Sequence, residues 1–151
     1  MANRQNWRTP QWLFDALNER FGPFVLDAAA SKENALCKRY HDGVRSDGLS
    51  NSWMDRTFCN PPFSHAGDWV EKAWGERTAM CRSVLLLPVG CSQAWFHDWV
   101  LRSKTAHILY PTKRISFLLP DGTPTKNADR DTMIVTFGYP GPKVSSFEVK
   151  R

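Results

Sequence analysis

Apolar residues recur along this chain at helical spacing in some stretches and run unbroken in others, and the switches mark out its elements. In "QWLFDALNER", Trp12, Leu13, Ala16 and Leu17 fall on one side of a helix. Thr9-Pro10 just ahead reads as an N-cap followed by proline at the first helical position, and "FGP" stops the helix. "FVLDA" is a short apolar run ending in an acid, the pattern of a buried parallel strand whose carboxyl end faces a site. A second short strand is expected within "NALCKRYH", and "RSDGL" adds an acid beside a glycine turn. "RTFCN" predicts a strand running straight into Asn60-Pro61-Pro62-Phe63. "AGDWVEKAWGER" returns to helical spacing with Trp69, Val70, Ala73 and Trp74, and "SVLLLPVG" reads as a fully buried strand of a parallel sheet. Ser92 is expected to cap "QAWFHDWVLRS", in which Trp95, Phe96, Trp99 and Val100 share a face. "HILY", "RISFLL" and "MIVTFGY" predict three later strands, the last two separated by the polar loop "PDGTPTKNADRD".

Strands alternating with helices, then a group of strands, predict an α/β fold: a Rossmann-like open sheet, mostly parallel, with the last hairpin adding an antiparallel C-terminal edge strand. Ligands of such sheets bind outside the carboxyl ends of the strands, where strand order reverses. Asp27, Asp47 and Asn60 to Phe63 all fall at or near predicted strand ends, which points to one cleft. A length of 151 residues, without repeats, linkers or low-complexity segments, suits a single domain with a real core.

Composition narrows the class. With 42% hydrophobic and 23% charged residues the chain is expected to fold rather than stay disordered. No apolar run approaches the ~18 residues of a membrane span, and "MANRQNWRTP" lacks the apolar core of a signal peptide. A soluble, cytoplasmic protein is expected. Cys37, Cys59, Cys81 and Cys91 form no CxxC pair and the histidines are dispersed, so reduced core thiols are expected and no structural metal. A net charge of +5 is compatible with a polyanionic partner. The seven tryptophans belong mostly to a core, although exposed rings also stack on bases.

The proline corner carries the candidate chemistry. Two prolines remove two backbone donors and fix two φ angles. One reading is a rigid strand-to-helix turn with a core phenylalanine. The other is methylation of an amino group. An exocyclic amine on adenine is a poor nucleophile because its lone pair is delocalised into the ring. Two acceptors, one for each N–H, hold the nitrogen pyramidal and localise that pair; the Asn60 side-chain oxygen and the Pro61 carbonyl are such acceptors. Attack on a sulfonium methyl then needs no covalent intermediate, only positioning and electrostatics. Phe63 would stack on a base that has left the duplex.

"NPPF" resembles the motif of N6-adenine and N4-cytosine DNA methyltransferases. The succession of "WRTP", "FGPFVLDAAASKENALCKRY", "DGLSNSW", "FCNPPFS", "VLLLPVGCSQAWF", "KRISF" and "MIVTF" spans nearly the whole chain and is similar to phage-type, Dam-like N-6-adenine methyltransferases. The resemblance implies S-adenosylmethionine as methyl donor and double-stranded DNA as partner. It makes residues 1–151 one minimal methyltransferase domain without a separate target-recognition domain, a monomer or a homodimer, in the host cytoplasm if phage-encoded. It assigns Asn60, Pro61, Pro62 and Phe63 to catalysis, and Asn60 to the cofactor as well. Trp7, Thr9 and Pro10 match the segment closing over the methionine end of the cofactor. Asp27, with Ala28 and Ala29 after it, matches the cofactor motif, although Asp27 also reads as a helix cap. Asp47 suits the adenosine moiety, by analogy with the acid about 20 residues on in dinucleotide folds.

One departure is plain: Ala28-Ala29-Ala30-Ser31 stands where methyltransferases usually carry a glycine-rich loop. A donor without phosphate does not require such a nest. Neither a Pro-Cys dipeptide for C5-cytosine methylation, nor a deaminase motif, nor a phosphate loop occurs. For DNA, Lys113, Arg114, Lys126 and Arg130 form an expected phosphate-contacting rim, read otherwise as solvated loop charges. Ser64 and His65 stand beside the corner, close to where a flipped nucleotide would sit. Two other readings stay open here: methylation of an amine or amide in RNA or protein, and a DNA-binding module without turnover.

Overall fold

The structure is a computed structural model that describes residues 7–77, 80–125 and 130–150. The helical pattern near the start becomes α1 (Gln11–Phe21), which buries Leu13, Phe14, Leu17 and Phe21. It begins one residue later than the sequence suggests. Pro10 occupies the N-cap position in extended backbone, and α1 has no side-chain cap. The Thr9 hydroxyl is engaged elsewhere, with Asn60. At the other end Gly22 lies so close to the Asn18 carbonyl and side chain that a Cβ would collide with both.

The acid-terminated run forms β1 (Leu26–Asp27), followed by β2 (Arg39–Tyr40) and β3 (Thr57–Cys59). The proline corner leads through a single 3-10 turn, Phe63–His65, into α2 (Ala66–Glu76). Beyond it come β4 (Ser83–Pro88), β5 (Ala106–Pro111), β6 (Thr132–Phe137) and β7 (Val144–Phe147). Among the described residues these strands make one sheet of order β2-β1-β3-β4-β6-β5-β7. The β1–β2, β1–β3, β3–β4 and β5–β7 pairs are parallel, while β6 is antiparallel to both neighbours. The sheet is therefore α/β and mostly parallel, as its pattern predicts.

The antiparallel strand is not at the edge, however. β6 is inserted between β4 and β5, buried along its whole length, and the edge belongs to β7. A strand with both ladders paired and both faces covered reads as an unbroken apolar run, which "MIVTF" is. The expected strand "RISFLL" is absent, since β6 and β7 already occupy both sides of β5. That segment makes only isolated bridges, Leu118 with Arg8 and with Pro124, while Ile115 and Phe117 sink into the core. The helix expected after Ser92 is a π-helical segment, Phe96–Leu101, without a side-chain cap; it buries Phe96 and Val100 and leaves Trp95 and Trp99 half-buried.

Alternation on the central strands divides the core. Leu85, Leu87, Met133 and Val135 face α2 and the π-helical segment, with Trp69, Val70 and Ala73 packed on them. Val84, Leu86, Ile134 and Phe58 face α1 and the 115–117 stretch. No helix separates β1, β2 and β3; turns alone connect them. Their packing depends on Gly48, where a Cβ would strike the Ala28 carbonyl and the Trp69 ring (2.7 Å). Gly75, inside α2, faces open space. Urea unfolding should accordingly show Gly48→Ala destabilised by about 1–3 kcal/mol, the usual cost of overpacking. Gly75→Ala should gain up to about 1 kcal/mol through helix propensity.

Candidate active site

Strand order reverses around β1, with β2 on one side and β3 on the other. At the carboxyl ends of these strands lies a cavity of about 410 Å³, within the range of small-molecule sites. It is walled by Trp7 to Thr9, by Asp27 and Ala29 to Ser31, by His41 to Gly43, by Asp47 and Gly48, and by Asn60 and Pro62. Of the residues singled out for the cofactor, Trp7, Thr9, Asp27, Ala29, Asp47 and Asn60 line it; Pro10 and Ala28 are buried and do not.

The alanine loop has a backbone explanation. Past Asp27 the chain keeps its ladders on both sides: the Ala28 amide donates to the Phe58 carbonyl (2.9 Å) and the Ala30 amide to the His41 carbonyl (3.1 Å). No helix follows, so no tight turn with positive φ is built there, and glycine is not required.

Asp27 is 3% exposed. Its Oδ2 accepts from the Leu36 amide at 3.1 Å, while Oδ1 is buried without a partner among the described residues. Burial pushes its pKa up to about 6, against the downward pull of the Leu36 and Ala29 amides. Two more orphaned atoms belong to the same walls, Trp7 Nε1 and His41 Nε2. The other His41 nitrogen lies 2.8 Å from Ser46 Oγ. Buried polar groups are ordinarily paired, so three orphans around one cavity mark a surface that a polar ligand can satisfy.

His41 escaped sequence reading, although its place directly after the strand beside β1 was a usable signal. Asp47 does reach the cavity, but its carboxylate caps its own turn. Oδ1 accepts from the Leu49 amide and Oδ2 from the Ser50 hydroxyl, which holds its pKa below the usual carboxylate range. Asp42 is similarly taken up, by the Val44 and Arg45 amides, and held down to about 2.

The corner meets the cavity through Asn60 and Pro62. Asn60 Nδ2 donates to Thr9 Oγ1 at 3.0 Å and to the Trp7 carbonyl at 3.5 Å. The Pro62 carbonyl accepts from the His65 amide (3.0 Å), whereas no donor among the described residues reaches the Pro61 carbonyl. Phe63 is half-buried outside the cavity, edge-on to Phe117 at a centroid distance of 6.0 Å; Phe117 in turn stacks on Trp7 at 5.9 Å. Cys59 is fully buried, and desolvation raises its thiol far above the reactive range. Among the described residues no group of three or more His, Cys, Asp or Glu is placed to hold a metal ion, and no helix is long and apolar enough to cross a membrane.

The family follows from the chain as a whole. A sequence model described as DNA N-6-adenine-methyltransferase (Dam) matches residues 1–145. The chain belongs to this family. Among its relatives is the DNA N-6-adenine-methyltransferase of Escherichia phage T1, 32% identical over 111 residues. That match takes in 72% of this chain but 45% of the phage protein, so the chain spans under half of its relative's length. Another is the putative methyltransferase YfdM of Escherichia coli K12, 38% identical over 64 residues, covering 38% of this chain and 69% of that one.

For this Dam-family chain, the described residues expected at DNA lie at one end of the sheet. β3, β4 and β5 all end there and β6 begins there, with Pro88 opposite Thr132. Lys113, Arg114 and Arg130 are exposed along it, Arg114 paired with Asp131 (Nε to Oδ1, 3.1 Å). Ser64 and His65 are exposed beside the corner, His65 Nδ1 standing 4.0 Å from Asp68. Lys126 lies outside the described residues.

Because Asp27 titrates higher folded than unfolded, its stabilising form is the protonated one. That contribution is complete below about pH 4 and is lost as pH rises through about 6. Asp27→Asn, which mimics the neutral carboxyl, should match the wild type in stability near pH 4. By pH 7 it should exceed it, by up to about 3 kcal/mol, in denaturant melts across that range.

Proposed function

We propose that this chain transfers a methyl group to the N6 amino group of adenine in DNA at a specific short site, by base flipping and direct in-line attack. The observation that carries the reading is the placement of Asn60 on the wall of the cavity that holds the Asp27 carboxylate with its unpartnered Oδ1. A cofactor cavity and an amine-binding corner thereby share one wall, in a chain of this family.

S-adenosylmethionine, when bound, supplies an electrophilic methyl on a sulfonium. The residues present fit it: Asp27 Oδ1, His41 Nε2 and Trp7 Nε1 offer unsatisfied polar atoms, and Ala29, Trp69 and Pro120 offer apolar wall. Asp27 suits the cationic amino group, and ionises more readily beside it. The target adenine is placed by Asn60 Oδ1 and the Pro61 carbonyl, each accepting one N–H of the exocyclic amine. Both acceptors are free of protein donors among the described residues, and the prolines hold them with little freedom. Phe63, braced by Phe117, offers the flipped base an aromatic contact. The amine loses its proton after the nitrogen has become cationic, so no strong base is needed.

The DNA backbone would run along the end of the sheet that exposes Lys113, Arg114 and Arg130, with Ser64 and His65 nearest the flipped nucleotide. Such contacts position the duplex without reading it.

Incubation with labelled methyl donor and mixed DNA, followed by mapping of modified bases, tests the whole reading; label on any base atom other than adenine N6 would overturn it. Asn60→Ala should cut transfer by about 10²–10³-fold, the cost of one transition-state acceptor, while calorimetric affinity for S-adenosylmethionine is spared. Lys113→Gln should reduce the slope of log affinity against log salt by about one, uniformly across DNA sequences.

A further inference from the structure

Asn60 has a partner that the corner's chemistry does not by itself supply. We infer that the Thr9 hydroxyl, with the Trp7 carbonyl, is the positioning device that turns the acceptor end of Asn60 toward the substrate amine. The inference rests on the methyl-transfer reading and adds a residue to it.

The argument begins with the amide itself. The terminal torsion of asparagine is broad and roughly two-fold, so its oxygen and nitrogen exchange places at small cost. For an amine-binding corner that exchange is fatal: with NH₂ forward, a donor would face the donors of the substrate. A carbonyl oxygen can only accept, so the Trp7 carbonyl, a long contact at 3.5 Å, favours Nδ2 as the end of Asn60 that faces residues 7–9. Thr9 Oγ1 at 3.0 Å supplies the shorter bond. With Nδ2 so committed, Oδ1 on the same carbon is directed away from residues 7–9, and no described residue donates to it.

The hydroxyl is itself held firmly. Thr9 is 8% exposed, between Pro10, whose φ is fixed, and Arg8, whose amide and carbonyl both bond Leu118 (2.7 and 2.9 Å). A threonine just before a helix usually caps it. Here α1 starts without a side-chain cap, and the hydroxyl reaches across 51 residues of sequence instead. Thr9 and Asn60 also line the same cavity, so a cofactor contact is the competing role for Thr9.

Thr9→Val keeps the shape and removes the hydroxyl; Thr9→Ser keeps the hydroxyl. The expected result is a kcat roughly ten- to a hundred-fold lower for Thr9→Val, as for a lost buried hydrogen bond, with calorimetric affinity for S-adenosylmethionine unchanged and Thr9→Ser close to wild type. Without DNA or methyl donor, the Asn60 side-chain NH₂ protons should exchange slowly in wild type and Thr9→Ser, and faster in Thr9→Val. Normal turnover by Thr9→Val would overturn the inference, as would lost cofactor affinity with kcat intact. If Thr9→Val does not fold, Thr9→Ala, which also removes the hydroxyl, decides: normal turnover by it would overturn the inference. A wild type that methylates no adenine would sink the functional reading instead, and the proton-exchange comparison would then judge the clamp alone.

Discussion

A carboxylate withdrawn from water at the end of a two-residue strand is the constraint around which this protein is arranged. Asp27 sits where strand order reverses, in contact with both neighbouring ladders, and only one of its oxygens has a partner among the described residues. Such a group works against folding whenever it is ionised. Packing alone gives no reason to keep it, since an asparagine would satisfy Leu36 without the electrostatic cost. The proposed function does give one: a charge left partly unsatisfied in the free protein has interaction energy in reserve for a cation.

The walls around that acid are built with little chain. In larger doubly wound sheets that bind dinucleotides, helices join successive parallel strands and a glycine-rich turn follows the first strand. Here β1, β2 and β3 are joined by turns. The chain after β1 goes on bonding to β2 and β3, and the Asp42 and Asp47 carboxylates are spent on stabilising the loops that carry them. Loops stiffened by their own side chains can serve as walls. The requirement passes to close approach, and Gly48, pressed between the Ala28 carbonyl and Trp69, meets it. On the proposed function, sulfonium chemistry permits this economy because no phosphate has to be cradled.

What could be read from the sequence divides along physical lines. The strands buried on both faces, β4 and β6, and the helices α1 and α2 announce themselves through local pattern, and so does the corner at the end of β3. The position of β6 inside the sheet does not, because ladder partners are chosen by tertiary competition, which composition does not encode. β7 was missed for a related reason: it is an edge strand with one fully buried residue, Phe147, and it follows two prolines. Ile115 and Phe117 mimic strand alternation, yet their segment finds no free edge and packs as an irregular stretch. At the site, Asp27 and Asn60 were legible because each ends an apolar run. His41 had only its place directly after β2 as a signal, since a lone histidine in a polar stretch carries no period, and its orphaned nitrogen exists only once the loops have closed around it.

Residues 7–9 join these observations. Trp7 and Thr9 line the cavity, both hold the Asn60 amide, and Arg8 pairs with Leu118 next to the Phe117 ring that braces Phe63. One short extended segment thus serves as cavity wall, as orienting device for the acceptor amide and as the seat of an aromatic brace. The cavity wall and the corner therefore draw on the same backbone. On the proposed function, sharing one segment between two tasks places the reacting amine and its methyl donor against a common wall.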